Sequence, residues 1–133
     1  MYDILTEKSD MNYDQMIKQI SDFDIIFLSL KYRGEEIITR DIIQKISNEC
    51  ILVNISRGEL INEIAVLEKI KRNKNFFYCT DVLNNEHKYS ENELFKKSRD
   101  YTNIILTPHI GGYCNSSLAY IEYELTKKFL EQV

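Results

Sequence analysis

The sequence has few of the residues that interrupt regular structure. Its 133 residues include 4 glycines, 1 proline and no tryptophan, and no linker, internal repeat or low-complexity tract divides the chain. A large excess of one charge is also missing, since 17 Lys and Arg oppose 21 Asp and Glu and leave a net charge of −4. Because the basic residues are scattered along the chain, we expect no nucleic-acid partner.

Long apolar runs and a regular cysteine pattern are absent as well. The run at residues 25–28 is far shorter than the ~20 residues that cross a bilayer, and the first residues show no basic stretch followed by an apolar one. We therefore expect a soluble, cytoplasmic protein with no membrane partner. The three cysteines, Cys50, Cys79 and Cys114, are odd in number and widely spaced, which favours reduced thiols over a disulfide or zinc framework.

What is present fits one globular domain. Hydrophobic residues make up 44% of the chain and charged residues 29%, a composition that can form a buried core. A length of 133 residues leaves room for one domain and not for two. Short apolar runs alternate with amphipathic stretches, which predicts an α/β fold, namely a partial Rossmann-like parallel sheet with flanking helices.

Four strands are predicted from the short apolar runs. They cover residues 25–30, 50–55, 76–80 and 103–106. A polar loop is expected at residues 81–92, after the third strand.

Helices are predicted between and after these strands. The first covers residues 14–23, and two more begin at the N-caps Thr39 and Asn62. In the helix after Asn62 the expected apolar face is Ile64, Leu67 and Ile70, with Val66 beside it. A last helix begins at residue 115 or 116, and its expected buried stripe is Leu118, Ile121, Leu125 and Phe129.

Candidate functional residues stand just after the predicted strands, where parallel sheets bind their ligands. Arg57 follows the second strand, Asp81 and Glu86 follow the third, and His109 follows the fourth. Taken alone, each has an ordinary interpretation as a solvent-exposed or loop-capping side chain. Taken together they suit one reaction class, because an arginine fork binds a carboxylate and a histidine backed by a carboxylate transfers a proton near neutral pH.

Four motifs in order strengthen this interpretation. They are Tyr2-Asp3, the segment Asn54 to Gly58, the segment Asp81 to Glu86, and Thr107 to Gly112 with its Pro-His-Ile-Gly-Gly sequence. With these motifs the chain resembles the second half of the nucleotide-binding domain of the D-isomer-specific 2-hydroxyacid dehydrogenases, and the resemblance covers nearly every residue.

The resemblance implies a catalytic trio. Arg57 would bind the carboxylate and carbonyl of a 2-oxo acid, and His109 would give a proton to that carbonyl as a hydride arrives from the nicotinamide. Glu86 would orient His109 and favour its imidazolium form.

The resemblance also implies NAD as cofactor. Asp81 would contact the nicotinamide carboxamide, and Asp3 would bind the adenosine ribose hydroxyls, which favours NAD over NADP. The remaining cofactor-binding positions implied by the motifs are Ile55, Ser56, Arg57, His109, Gly111 and Gly112.

The sequence departs from the family pattern in ways that bear on activity. No Gly-x-Gly-x-x-Gly loop occurs, so residues 1–133 are expected to form a partial NAD-binding domain that lacks the first strand, the glycine-rich loop and the substrate domain. We expect the chain alone to be inactive. The strand at residues 25–30 would be an open edge, which predicts a homo-oligomer, a companion chain or poor solubility. Lys31 and His87 also stand where the family usually has proline.

Two functions remain open at this stage. The first is the cofactor-domain portion of a dehydrogenase that acts on a 2-hydroxy or 2-oxo acid. The second is a non-catalytic remnant or interaction module that uses the exposed sheet edge. Retention of Arg57, Glu86 and His109 together favours the first, because an interaction module does not need that trio.

Overall fold

The fold is built on a four-stranded parallel sheet. A computed structural model describes residues 11–113 and 115–131. The strands lie side by side in chain order, with Ile25 opposite Ile51 and Ile51 opposite Phe77. They are β1 (Ile25–Leu28), β2 (Ile51–Asn54), β3 (Phe77–Thr80) and β4 (Ile104–Leu106). The predicted α/β class with a parallel sheet is confirmed.

Among the described residues, one α-helix precedes the strands and four more connect or follow them. They are α1 (Tyr13–Gln19), α2 (Arg40–Lys45), α3 (Glu63–Arg72), α4 (Glu93–Lys97) and α5 (Asn115–Leu130). The Asn62 side chain caps α3 by accepting from the Ala65 amide at 2.9 Å, as predicted. Thr39 stands at the N-cap of α2, but its side chain makes no capping hydrogen bond.

The core lies between the sheet and its helices. Leu52 on β2 and Tyr78 on β3 are fully buried. The buried face of α3 includes Val66, Leu67 and Ile70, as predicted, but the prediction for Ile64 is wrong, because Ile64 is 60% exposed. Residue 64 falls outside the 63, 66, 67, 70 spacing of the stripe that faces the sheet.

Two further predictions about helices need correction. The segment 81–92 is not a simple loop, because it contains a 3₁₀ helix at Glu86–Glu91 and leads into α4, whose N-cap is Asn92. Polar sequence hid these short helices, since neither has a clear apolar period. On α5, Leu118 was expected to be buried and is 41% exposed. The side chains of Ile121, Leu125 and Phe129 lie outside the described set.

Strand β1 is an edge of the sheet within the described residues. It pairs with β2 only, and its Ile25 and Phe27 side chains are 61% and 59% exposed. They lie in an apolar groove of about 370 Å³ that also involves Met16 and Ile20 of the first helical segment. The predicted open edge at residues 25–30 is therefore present in the part of the chain that the structure describes.

The remaining sequence expectations concern thiols and membranes. Cys50 is buried and Cys79 is half-buried, and both are free thiols, while Cys114 lies outside the described residues. Within the described ranges, no helix is both long enough and apolar enough to span a bilayer.

Candidate active site at the carboxyl edge of the sheet

The loops after β2, β3 and β4 meet at one edge of the sheet. Because the strands are parallel and in register, their carboxyl ends point the same way. The side chains of Arg57, Asp81, Glu86 and His109 all belong to these three loops. The sheet topology therefore places every described member of the predicted site on the same side of the fold.

The loop after β2 is tied down from within and from β1. The buried Asn54 side chain donates to the Arg57 carbonyl at 2.9 Å and accepts from the Ser56 amide at 3.0 Å. The Ser56 hydroxyl donates to the Leu28 carbonyl at 3.0 Å and accepts from the Leu30 amide at 2.7 Å. Ser56 therefore joins two strand ends, while its neighbour Ile55 is half exposed at the sheet edge.

Arg57 is exposed and adjacent to the loop that carries Glu86. Its guanidinium donates to the Ser56 carbonyl at 2.6 Å, which leaves most of its five N–H donors for other partners. The next residue, Gly58, packs so tightly that a Cβ there would lie 2.0 Å from the Asn84 amide nitrogen and 2.0 Å from the Leu83 carbonyl carbon. Only glycine allows the β2 and β3 loops to approach this closely.

Glu86 and His109 form a direct pair between the β3 and β4 loops. Glu86 Oε2 lies 2.7 Å from His109 Nδ1, and Glu86 Oε1 accepts from the Leu83 amide at 3.0 Å. When Glu86 accepts from Nδ1–H, the other ring nitrogen of His109, Nε2, stays available to a ligand. Both side chains are partly exposed, 45% for His109 and 39% for Glu86.

Asp81 holds the backbone on the far side of His109. Its carboxylate accepts from the Thr107 hydroxyl and from the amides of Ile110 at 3.0 Å and Gly111 at 2.7 Å. His109 has φ +54°, a left-handed conformation that few residues adopt without support. The hydrogen bonds to the two following amides provide that support.

These bonds also change the acidity of Asp81. Partial burial by itself raises the pKa of this carboxyl, but the hydrogen bonds from Thr107, Gly111 and Ile110 outweigh it. The net effect holds the pKa of Asp81 below its usual range, so the carboxylate is ionised near neutral pH.

A cleft of about 460 Å³ opens beside the pair. Asp81, Glu86 and His109 contribute the polar part of its lining. Its other walls come from Leu83, Tyr89, Phe95, Leu106, Thr107 and Pro108. Such a cleft, apolar with a few convergent polar groups, is typical of a small-molecule site.

Three of the predicted site residues, Asp81, Glu86 and His109, line this cleft. The structure joins Glu86 to His109 and Asp81 to the His109 loop, and it packs the backbone beside Arg57 against the Glu86 loop. Gly111 packs on Asp81, whereas Gly112 has open space where a side chain would be. Asp3 lies outside the described residues.

Sequence reasoning missed residues that shape the site without carrying its chemistry. Asn54 orders the Arg57 loop through its hydrogen bond to the Arg57 carbonyl. Tyr89 and Phe95 pack edge to face on one wall of the cleft, with their ring centroids 5.1 Å apart. An asparagine at a strand end could have been noticed as a loop-ordering residue. The two aromatic residues gave no signal, because Tyr89 lies in the 3₁₀ helix and Phe95 in α4, and neither short helix has a clear apolar period.

The sequence of the chain matches one known protein family. Residues 3–111 match the family model described as "D-isomer specific 2-hydroxyacid dehydrogenase, NAD binding domain". The chain belongs to this family. The predicted resemblance is thus confirmed, and NAD is the cofactor that defines the domain family.

Individual members of the 2-hydroxyacid dehydrogenase family agree with this assignment. The chain is 35% identical over 82 residues to erythronate-4-phosphate dehydrogenase of Legionella pneumophila (strain Lens), covering 62% of the chain and 21% of that protein. It is 29% identical over 123 residues to hydroxypyruvate reductase of Thermotoga maritima, covering 92% of the chain and 39% of that protein. The chain thus spans between a fifth and two fifths of the length of these relatives.

A solved dehydrogenase shares the fold. D-lactate dehydrogenase from Aquifex aeolicus, in complex with NAD and lactic acid, superposes with a TM-score of 0.76 at 23% identity. The match covers 98% of this chain and 45% of that one. The architecture described above is therefore that of a dehydrogenase NAD-binding domain.

Proposed function

We propose that this chain provides the reactive half of the NAD-binding domain of a 2-hydroxyacid dehydrogenase. The reaction is the reversible transfer of a hydride between the nicotinamide and the C2 carbon of a 2-hydroxy or 2-oxo acid. The observation that carries the proposal is the 2.7 Å contact between Glu86 and His109, at the sheet edge where the Arg57 loop packs on the Glu86 loop.

In this proposal His109 is the general acid and base. Its Nδ1 is turned to Glu86, so Nε2 faces the substrate oxygen and gives it a proton when a 2-oxo acid is reduced. In the reverse direction the same nitrogen removes the hydroxyl proton. Glu86 fixes the ring orientation by accepting from Nδ1–H.

Arg57 binds the substrate carboxylate. A guanidinium presents two parallel N–H groups to a carboxylate and stays charged at all relevant pH values. Arg57 is exposed beyond the carboxyl end of β2, and among the described residues its guanidinium donates to the Ser56 carbonyl of its own loop. Binding the carboxylate there orients the C2 carbonyl toward His109.

Asp81 in the cleft and Ile55 after β2 fit the nicotinamide end of NAD, which supplies or accepts the hydride when bound. A carboxylate offers about four acceptor sites, and Asp81 uses three of them on Thr107, Ile110 and Gly111. One site remains for the N–H of a carboxamide. The half-exposed Ile55 offers an apolar surface to the ring.

The pyrophosphate of NAD needs a different element. The 133 residues contain no Gly-x-Gly-x-x-Gly loop, the motif that points backbone N–H groups at phosphate. We propose that a strand bearing such a loop pairs with the open edge of β1, and that it comes from the same longer polypeptide or from another chain. Without that strand and a substrate domain, this chain is inactive.

The test is NADH oxidation with a panel of 2-oxo acids. The chain is tagged and expressed from its own locus in its native cells, so that any attached or associated segment is purified with it. His109→Asn should lower kcat by ~10²-fold or more, while His87→Asn, an exposed histidine in the same region, should leave it unchanged. A wild-type preparation that includes a Gly-x-Gly-x-x-Gly segment and a substrate domain but shows no activity, or His109→Asn with wild-type kcat, would favour the interaction module instead.

A further inference from the structure

The loop between β3 and Glu86 is held by carboxylates in an unusual way. Three consecutive backbone amides donate to three different glutamates. The amide of Leu83 donates to Glu86 at 3.0 Å, that of Asn84 to Glu63 at 2.8 Å and that of Asn85 to Glu59 at 3.3 Å. Each of these three N–H groups therefore has a carboxylate acceptor of its own.

Glu63 differs from the other two glutamates because it is buried. It is 9% exposed at the start of α3, and its second oxygen accepts from the Asn92 side chain at 2.6 Å. The same Asn92 amide group donates to the Asn84 carbonyl at 3.1 Å. Both the N–H and the C=O of Asn84 are therefore fixed by the Glu63–Asn92 unit.

The position of Asn84 sets the direction of Glu86. The next residue, Asn85, has a left-handed backbone conformation with φ +53°. This turn reverses the chain direction, so that the Glu86 side chain reaches both the Leu83 amide and His109. A residue other than glycine keeps this conformation only when its neighbours are held in place. Glu63 fixes one neighbour from a helix that carries none of the reacting groups.

We propose that Glu63 is a positioning residue for the Glu86–His109 pair. It acts through the Asn84 backbone and touches neither substrate nor cofactor. The inference rests on the proposed function for its meaning in catalysis, but the geometry it claims is measurable without turnover. A carboxylate buried for stability alone would leave the His109 ring unaffected when it is replaced.

Glu63→Gln tests this role. Glutamine still accepts from the Asn84 amide but turns an N–H₂ group toward the N–H₂ group of Asn92, so one of the two contacts is lost. The matched control is Glu93→Gln, which removes a nearby negative charge that forms an ion pair with the exposed Lys96. Both variants are made in the full chain.

The first measurement is the tautomer of His109, read from ¹⁵N spectra in alkaline solution. The chain has two histidines, so the exposed His87 is an internal reference. In wild type and in Glu63→Gln, the ¹⁵N chemical shifts of the exposed His87 ring give the tautomer ratio of an unconstrained imidazole. We expect His109 to hold its proton on Nδ1 in wild type and in Glu93→Gln, and to shift toward the His87 value in Glu63→Gln.

Amide hydrogen exchange is the second measurement. Exchange at Leu83, Asn84 and Asn85 should become on the order of tenfold faster in Glu63→Gln, because one contact of the unit is lost. A Glu63→Gln protein that is less stable but keeps the wild-type His109 tautomer and loop exchange would overturn the proposal. If Glu63→Gln does not fold, the His109 tautomer in a second variant, Asn92→Asp, tests the positioning role of Glu63.

Asn92→Asp preserves an N-cap for α4 and sets a second carboxylate against Glu63. It should displace the loop and release His109, and a wild-type tautomer in this variant would refute the positioning role. The outcome is separable from that of the dehydrogenase proposal. Loss of the Nδ1 tautomer in Glu63→Gln supports the positioning role of Glu63 whether or not the protein is a dehydrogenase. A His109→Asn variant with full activity would overturn the dehydrogenase proposal without changing the contacts of Glu63.

Discussion

Glu86 and His109 are 23 residues apart in sequence, and their side chains meet at 2.7 Å. The contact depends on two loops that are each held by other hydrogen bonds: Leu83 to Glu86 on one side, and Gly111 to Asp81 on the other. Preorganisation of this kind is what the acid–base role that we propose for His109 requires, because the ring orientation is set before substrate binds.

The close contact at Gly58 predicts a large effect of a small substitution. Gly58→Ala places a Cβ 2.0 Å from backbone atoms of Leu83 and Asn84, which cannot rotate away. We expect a loss of about 2 to 4 kcal/mol in the free energy of unfolding, measured by urea denaturation. Gly112→Ala is the control, since nothing lies within 4 Å of a Cβ there, and it should be neutral.

Asp81 predicts a pH-dependent contribution to stability. Its folded-state pKa is lowered, so its contribution is present above the unfolded-state pKa of ~3.9 and is lost as the pH falls through the folded-state value. Asp81→Asn should cost about 1 to 2 kcal/mol at neutral pH, and the difference from wild type should vanish in strong acid.

The same titration has a surface control. Asp100→Asn removes an exposed ion pair with Lys97, and such pairs contribute little. A difference between wild type and Asp81→Asn that grows as the pH falls would contradict the assigned sign.

Much of this structure follows from the sequence because its signals are local. The apolar runs predicted all four strands, and the Asn62 cap predicted the start of α3. Arg57, Asp81, Glu86 and His109 could be proposed as site residues because parallel strands place the residues that follow them at one end of the sheet. The hydrogen bond from the Asn84 amide to Glu63 could not be predicted in this way, since the two residues are 21 positions apart. Nothing in the local sequence distinguishes Glu63 from a surface glutamate.

Substitution of Arg57 separates binding from chemistry. Arg57→Lys keeps the charge but loses the two-pronged geometry for a carboxylate. We expect KM for the 2-oxo acid to rise about tenfold or more while NADH affinity stays within twofold, from steady-state kinetics of the natively expressed protein. Arg33→Lys, an exposed site, should change neither constant. Equal loss of affinity for NADH and for the 2-oxo acid would argue against the carboxylate role.

The open edge at β1 predicts association. Phe27 is 59% exposed on an apolar strand, and such edges pair with other strands. Phe27→Lys should reduce the self-association or companion binding seen by light scattering, whereas Ile64→Lys, at a site 60% exposed on α3, should not. A wild-type chain that is monodisperse and monomeric at high concentration would refute this prediction.

The central claim is that Glu86 acts on the reaction through His109. The most direct measurement is a double-mutant cycle in kcat for 2-oxo acid reduction, with Glu86→Gln, His109→Asn and the double variant. If the claim is right, Glu86→Gln lowers kcat when His109 is present and lowers it no further in His109→Asn. Independent losses that multiply in the double variant would contradict it.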